Sequence, residues 1–247
     1  MHAGAGHGFA PLSVCGATLG VASTSTKRYV QAMYQPPHFR EDRLEVQHDL
    51  IRAHPLGLVF TAGPAGLMAN AIPFLVDADA SAKGTLRGHF ARANPQLGEL
   101  AAVEECLIVF QGPQAYITPS WYATKRETGK VVPTWNYTMV QAKGRAKVMD
   151  DAWLARQIEE LTQTLESRRD RPWAVGDAPA DFIAMQRRAI VGIEIEIVDI
   201  RGKWKASQNR SAADREGVVS GLEALGDEEA LAMADIVREA SRGPATG

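Results

Sequence analysis

The sequence is poor in cysteine, and the cysteines it has are far apart. Cys15 and Cys106 are the only two in 247 residues, which excludes a disulfide framework. Neither has a partner at the spacing of a zinc site. Cys106 lies in the apolar run Cys106–Phe110, and we expect its thiol to be buried in the core.

Long apolar runs and an excess of charge of one sign are also absent. No apolar run reaches the length that spans a bilayer, so no membrane partner is expected. The net charge is −2, which gives no strong overall field for nucleic acid, although a local basic patch remains compatible with it. A chain of 247 residues, 45% hydrophobic, is long enough to bury a sizeable core without disulfides or metals.

Several common catalytic motifs are missing as well. The sequence has no Gly-x-Gly-x-x-Gly after a predicted strand, no Gly-x4-Gly-Lys-Ser/Thr and no Gly-x-Ser-x-Gly. The usual motifs for dinucleotides, for ATP and for the serine nucleophile elbow are therefore absent. Histidines 38, 48, 54 and 89 lack the spacing of metal ligands, and no metal site is predicted.

Residues 1–32 differ from the rest of the chain. They are rich in small residues and contain no acidic residue. A secretory signal needs basic residues before its apolar stretch, whereas the pair Lys27-Arg28 follows it. We expect a disordered extension, or an upstream start codon before a natural start at Met33, and a cytoplasmic protein.

Short apolar and β-branched segments, separated by turn residues, predict a sheet. The segment before Lys143-Gly144 and the segment after it are expected to form two strands with a bend between them. The predicted strands are 58–61, 67–76, 85–91, 107–111, 115–118, 131–149 (as two strands) and 189–200.

Helical periodicity appears between and after these strands. It predicts helices over 41–53, 151–167 and 178–188, and two helices within 211–242 that break at Gly226-Asp227. Asp150 or Asp151 is the expected N-cap of the second helix. Because strands do not alternate regularly with helices, we predict an α+β fold with a mainly antiparallel barrel over 33–210. Residues 211–242 are expected to form a helical hairpin packed on that barrel.

Polar and aromatic residues gather at the ends of predicted strands, in segments 88–96, 119–122, 129–137 and 202–210. Each segment couples apolar or aromatic surface to cations, amides or hydroxyls. A flavin mononucleotide (FMN) site needs this combination, since the isoalloxazine requires flat apolar walls and the phosphate requires cations and fixed donors. Ordinary loops have a similar composition, so the spacing alone leaves both readings open.

Taken together, these segments resemble the PaiB family of FMN-binding negative transcriptional regulators. The resemblance runs from Met33 to about Val237. It implies a split β-barrel related to pyridoxamine-phosphate oxidase and the flavin reductases, with FMN as cofactor and a homodimer that binds FMN at the subunit interface. The segments that carry it are Met33-Tyr34 with Phe39–Arg43, Ala69–Leu75, Gly88–Pro95, Phe110–Ile117, Pro119–Tyr122, Val132–Tyr137 and Lys203–Arg210.

The resemblance also implies site residues. Arg92 is the first choice for the FMN phosphate, with His89 and Asn94 as donors and Lys130 as a second cation. The neighbouring strand would contribute Asn70, Ala71, Ile72 and Pro73. The oxidase has cations where this chain has Asn70 and Ile72-Pro73-Phe74, so oxidation of pyridoxamine phosphate is not expected.

The later segments would complete the site. Trp204 would form a wall of the flavin pocket, unless it packs in the core, and Lys205 and Gln208 would reach flavin or substrate oxygens. Arg210 is alternatively an ion-pair partner of Asp214 or Glu216. The strand end that would line the site, from the same or the second subunit, comprises Val132, Pro133, Thr134 and Trp135.

Three functions are compatible with this sequence. The family name implies a regulator, and DNA as a partner follows from that name alone. The hairpin 211–242 has eight acidic and three basic residues, the wrong sign for phosphate contact, and the basic alternative is Arg168-Arg169-Asp170-Arg171. The second function is an FMN-dependent oxidoreductase or a haem-degrading split-barrel enzyme that uses NAD(P)H. The third is a binding protein in which FMN only stabilises the dimer.

Overall fold

A computed structural model describes residues 33–241; the extension predicted for residues 1–32 lies outside them. The strands are β1 (Arg40–Glu41), β2 (Leu56–Gly63), β3 (Gly66–Pro73), β4 (Leu75–Asp77), β5 (Thr85–Ala91), β6 (Cys106–Ile117), β7 (Thr134–Val148) and β8 (Ile190–Lys205). The α-helices are α1 (Leu44–Ala53), α2 (Gln96–Ala102), α3 (Ala123–Thr128), α4 (Asp151–Glu166), α5 (Ala180–Arg188), α6 (Ala212–Leu225) and α7 (Glu228–Ser241).

The strands form one antiparallel sheet of eight strands. Its order is β3-β2-β6-β7-β8-β5-β4, and β1 pairs with β8. Strands β3 and β5 stand far apart in this order but contact each other in space, so the sheet curves into a barrel. Within the described residues no ladder of hydrogen bonds joins those two strands. The predicted α+β split barrel is therefore confirmed.

Several strand boundaries differ from the prediction for local reasons. The predicted strands 107–111 and 115–118 are one strand, β6, whose register with β7 shifts between Gln111 and Gln114. Pro113 lies in this interval and has no N–H to donate to the ladder. The two strands predicted over 131–149 are one strand, β7, and β8 carries the extra residue Val198 opposite the shift at Lys143/Gly144.

Other boundaries differ because contacts are made with distant residues. The strand predicted over 67–76 is interrupted at Phe74, whose N–H donates to the carbonyl of Pro55 at 2.8 Å. Strand β8 runs past the predicted residue 200 to Lys205 because β7 pairs with it over that length. Helices α2 and α3 were not predicted from the sequence, because their seven and six residues are too few to show a helical period.

The main core lies between the barrel strands and the helices that pack on them. Ile193, Ile195 and Ile197 of β8 all point into it, which confirms the alternation read from the sequence. Helix α1 contributes Leu50 and Ile51. Cys106 is 2% exposed, and burial raises the pKa of its thiol to about 12, as expected for a core cysteine.

Helices α6 and α7 share a second core with the end of β6. The break between them falls at Gly226, whose φ is +73°, a conformation that glycine adopts at little cost. Thr124 donates from its backbone N and its hydroxyl to the Asp214 carboxylate, both at 2.9 Å. Burial alone would raise the pKa of Asp214, but the hydrogen bonds from Thr124 and Ser211 and the charge of Arg210 lower it. The main members of this core are Ile117, Tyr122, Val218, Leu222, Met233 and Val237.

Candidate functional site

The structure divides the site residues predicted from the sequence into two groups. The β3–β5 group lies on β3 and around the end of β5, and comprises Asn70, Ala71, Ile72, Pro73, His89, Arg92 and Asn94. The β7–β8 group lies near the start of β7 and the end of β8, and comprises Lys130, Val132, Pro133, Thr134, Trp135, Trp204, Lys205 and Gln208.

A buried glutamine joins two members of the β3–β5 group. Asn70 Nδ2 donates to Gln96 Oε1 at 2.8 Å, and the backbone N–H of Gln96 donates to Asn94 Oδ1 at 2.9 Å. Gln96 is fully buried, and its Nε2 also donates to the carbonyl of Val59 at 2.8 Å. Sequence reasoning missed Gln96, although it lies directly after Asn94-Pro95.

His89 and Arg92 lie on the side of this group that faces α4 and α5. His89 Nδ1 is 3.1 Å from Gln157 Oε1 of α4. Arg92 donates from Nε to the carbonyl of Arg188 at 2.9 Å and from Nη2 to that of Ile190 at 3.1 Å. These two bonds hold the guanidinium against the start of β8 and leave Nη1 without a bond to the described residues. Arg92 therefore stays the predicted phosphate ligand.

Lys205 is the centre of the β7–β8 group. Its Nζ donates to Thr134 Oγ1 at 2.5 Å and to the carbonyl of Trp135 at 2.7 Å. The Trp135 ring is 48% exposed and lies edge-on to the Tyr116 ring at 5.9 Å between centroids. The group thus combines a cation, a hydroxyl and exposed aromatic surface.

Other members of the β7–β8 group are directed elsewhere. Trp204 is partly buried and packs against the main core, which is the alternative considered for it. Gln208 Nε2 donates back to the carbonyl of Trp204 at 2.6 Å, and its Oε1 accepts from the N–H of Ala206 at 2.8 Å. Lys130, Val132 and Pro133 are exposed on the segment before β7.

Two further cations stand beside Lys205, and sequence reasoning did not include them. Lys203 is only 7% exposed; its Nζ donates to the carbonyl of Tyr34 at 2.9 Å and lies 5.3 Å from the ring centroid of Tyr137. The guanidinium of Arg210 lies 4.6 Å from the ring centroid of Tyr122. Burial, Lys203 and Arg210 together lower the pKa of Lys205. The alternation of Lys203 and Lys205 on one strand was the signal that could have found the cluster.

The two groups lie at opposite ends of β8. Arg92 is bonded to the carbonyl of Ile190, the first residue of β8, and Lys205 is the last residue of this strand of 16 residues. At the usual rise per residue, the strand between them is about 50 Å long. The two groups therefore lie far apart along this strand, and a single flavin mononucleotide is shorter than that path.

The outer face of the sheet is apolar over β2, β3 and β6. Cross-strand pairs align Leu58 with Ala71 and Val109, and Phe60 with Ala69 and Leu107. Leu67 is 87% exposed and Leu58 44%, so no described element covers these side chains. The apolar face consists of Leu56, Leu58, Phe60, Leu67, Ala69, Ala71, Pro73, Leu107 and Val109.

The register of β6, β7 and β8 places the apolar face next to the β7–β8 group. Gln111 of β6 pairs with Met139, and Met139 pairs with Lys203. Tyr137 pairs with Lys205 in the same way. Because side chains on paired residues share one side of a sheet, the apolar face adjoins the Tyr137 ring and the lysine pair.

A split barrel with an exposed apolar face beside aromatic and cationic side chains is typical of a flavin-binding protein. Residues 33–199 match the family model described as "Putative FMN-binding domain". The chain therefore belongs to the PaiB family of FMN-binding proteins, whose cofactor is FMN.

The chain is also similar to relatives that cover most of its length and to a solved structure of similar fold. The chain is 37% identical over 243 residues to an uncharacterized protein of Emericella nidulans, covering 84% of this chain and 97% of that protein. It is 30% identical over 207 residues to the "Protease synthase and sporulation protein PAI 2" of Bacillus subtilis, with the same coverage. The flavocytochrome Anf3 of Azotobacter vinelandii has a similar fold, with a TM-score of 0.50, 16% identity, and 67% and 69% of the two chains covered.

The donor set of the described residues fits FMN. The phosphate needs cations and fixed donors, and each group contains a cation, Arg92 in the first and Lys205 in the second. The ring system needs flat apolar surface, which Trp135, Tyr137 and the apolar face present. Among residues 33–241 there is no cluster of side chains suited to a metal ion. No helix in that range is long and apolar enough to cross a membrane.

Proposed function

We propose that the protein is a homodimer that binds FMN between its subunits and acts as a transcriptional regulator. The observation that supports the dimer is the separation of the two groups along β8, because a second copy can bring the two groups to one ligand. The exposed apolar face supplies the surface for that copy. A symmetric dimer buries the same patch on both subunits, and apolar pairs across β2, β3 and β6 suit this use.

In this proposal each group has its own task. Arg92 and Asn94 of one subunit hold the phosphate of FMN, with Gln96 and Asn70 fixing the position of Asn94. Thr134, Trp135 and Lys205 of the partner subunit approach the same ligand from the other side. Bound FMN supplies reversible redox chemistry, while the protein supplies binding and orientation.

Two observations support regulation. One is the similarity to PAI 2 of Bacillus subtilis, which that protein's name links to protease synthesis and sporulation. The other is the exposed segment of Arg168, Arg169 and Arg171 after α4, which offers cations for phosphate contact. DNA would meet this segment rather than the acidic helices α6 and α7. A change in dimer geometry on FMN binding or reduction would link the flavin to DNA affinity.

An FMN-dependent oxidoreductase is the second candidate. The exposed aromatic and cationic surface around Trp135 and Lys205 favours it, because an electron donor such as NAD(P)H needs an open face and cations for its phosphates. Haem-degrading split-barrel enzymes belong to the same alternative. A third possibility, FMN as a structural ligand alone, predicts neither turnover nor DNA affinity.

An absorption spectrum of the FMN-loaded protein, recorded with NADPH under argon, separates these functions. The regulator is expected to keep its flavin oxidised and to retard DNA from its own upstream region in a gel-shift assay. Bleaching with steady turnover and no DNA retardation would replace the regulator with the oxidoreductase. A folded protein that binds no FMN would contradict both.

Arg92 has its own test. Arg92→Ala is expected to raise the Kd for FMN by about 5- to 150-fold, equal to about 1–3 kcal/mol for a charge-assisted contact. Riboflavin, which lacks the phosphate, should bind both proteins alike. Fluorescence titration measures both ligands, and Arg145→Ala, an exposed arginine on β7, is the matched control. An equal loss for riboflavin would show that Arg92 acts only by holding residues 188 and 190 in place.

A further inference from the structure

A small cleft opens beside the ends of β7 and β8. Its volume is about 50 Å³, and it is lined by Phe39, Thr134, Asn136, Lys205, Ser207, Asn209 and Arg210. The lining has two cations, two hydroxyls and two amides, and no carboxylate. Most of these residues follow residue 199, where the match to the FMN-binding family model ends.

Among the described residues no carboxylate forms an ion pair with the cations of the cleft, although the charge of Arg210 lowers the pKa of Asp214 nearby. Neither Lys205, Lys203 nor Arg210 forms an ion pair within 4.0 Å there. The acidic groups nearby already have partners. The Glu41 carboxylate is bonded to Arg43, and Asp214 accepts two hydrogen bonds from Thr124.

Burial and neighbouring positive charges both act on the ammonium group of Lys205. The pKa of Lys205 is lowered first by burial and then by Lys203 and Arg210. Cations kept together in this way are stabilised by an anion placed between them, which opposes both the repulsion and the desolvation.

The backbone around the cleft is held in an unusual conformation. Ser207 has a φ of 62° and is the one non-glycine residue with a positive φ among the described residues. Asn136 Nδ2 donates to Ser207 Oγ at 2.9 Å, and the N–H of Arg210 donates to the carbonyl of Ser207 at 3.0 Å. Non-glycine residues in this region cost free energy and are found preferentially at ligand sites.

We propose that this cleft binds a phosphate group, which Lys205 and Arg210 pair with and which the hydroxyls of Thr134 and Ser207 orient. Its volume suits a small tetrahedral anion. This inference rests on the proposed function: because Arg92 is assigned to the FMN phosphate, the phosphate in the cleft belongs to a second ligand of the FMN-loaded dimer. If Lys205 served only to hold Thr134 and Trp135 in place, the nearby Arg210, the positive φ of Ser207 and the absence of carboxylates would have no explanation.

Inorganic phosphate is the probe. Its binding to the full chain is measured by isothermal titration calorimetry, with and without saturating FMN, at constant ionic strength set by chloride. Lys205→Gln is expected to weaken phosphate binding at least tenfold. Ser207→Gly introduces a residue that adopts positive φ readily and removes the hydroxymethyl side chain. A three- to tenfold loss of phosphate affinity is therefore expected, and this variant tests the proposal even if Lys205→Gln is unstable. Arg126→Gln, an exposed cation on α3, is the control and should bind phosphate normally.

The outcomes identify the source of the phosphate. Phosphate that binds the FMN-loaded protein through Lys205 indicates a second phosphate-bearing ligand. Phosphate that binds only without FMN, and competes with FMN but not with riboflavin, would assign the cleft to the flavin's own phosphate and would overturn the proposal of a second ligand. Equal phosphate binding by Lys205→Gln and Arg126→Gln, or none by the wild type, would overturn the proposal. If the protein binds phosphate through Lys205 but binds no FMN, the result would support the phosphate cleft and contradict the proposed function.

Discussion

Phe60→Glu is expected to convert the dimer into monomers and to weaken FMN binding by at least 100-fold. Phe60 lies near the middle of the apolar face, between Ala69 and Leu107 on the neighbouring strands. In a symmetric dimer the substitution occurs twice, and each copy loses about 2–3 kcal/mol of apolar burial and buries a carboxylate. The monomer would retain only one of the two groups for each FMN.

Sedimentation velocity over a range of concentrations measures the dimer, and flavin fluorescence measures the affinity. Val148→Glu is the matched control, because Val148 is an exposed apolar residue on β7, 62% accessible, outside the apolar face. This control should remain dimeric with unchanged FMN affinity. A monomeric Phe60→Glu that binds FMN as the wild type does would place the whole flavin site within one subunit.

Gly221→Val is expected to destabilise the protein by about 2–3 kcal/mol, because helix α6 lies directly on the Trp121 ring. A Cβ at residue 221 would lie 2.2 Å from Cδ2 of that indole, and one at Gly217 would lie 2.0 Å from the Trp121 carbonyl oxygen. Since neither contact can be relieved by rotating a flexible side chain, α6 must move away from its core, which is the usual cost of overpacking.

Thermal and urea denaturation, followed by circular dichroism, measure this effect. Ser220→Val places the same side chain on the same helix at an exposed position and should change the free energy of unfolding by less than about 0.5 kcal/mol. If the two variants were equally stable, α6 would not pack on Trp121 in solution.

The cleft at the end of β8 shows how far local sequence can identify a site. Lys205 and Thr134 were both predicted as site residues, and the structure joins them by a hydrogen bond. Arg210 was instead weighed as an ion-pair partner of Asp214 or Glu216. In the structure its charge does lower the pKa of Asp214, while its guanidinium also lies over the Tyr122 ring. Local spacing therefore does not distinguish a cation that binds a ligand from a cation that stabilises the fold.

The sequence by itself determined the elements whose signal is local. The helical period over 151–167, an N-cap at Asp150 or Asp151, the break at Gly226 and the alternation along β8 each depend on neighbours a few residues away, and the structure selects Asp150 as the N-cap. The ordered segments from Met33 onward were enough to identify the family. For the same reason the short helices α2 and α3 were missed, since each is stabilised by contacts with distant residues rather than by its own period.

Only the tertiary structure decided how these parts meet. The register between strands, fixed by the ladders from β3 to β8, put the apolar residues of β2, β3 and β6 on one exposed face. It also put Arg92 and Lys205 at opposite ends of one strand and turned Trp204 toward the core. Such facts depend on which face of a strand points inward and on which strands are neighbours. A one-residue change of register reverses the first, and strand order depends on pairings between residues far apart in the chain, which local sequence does not encode.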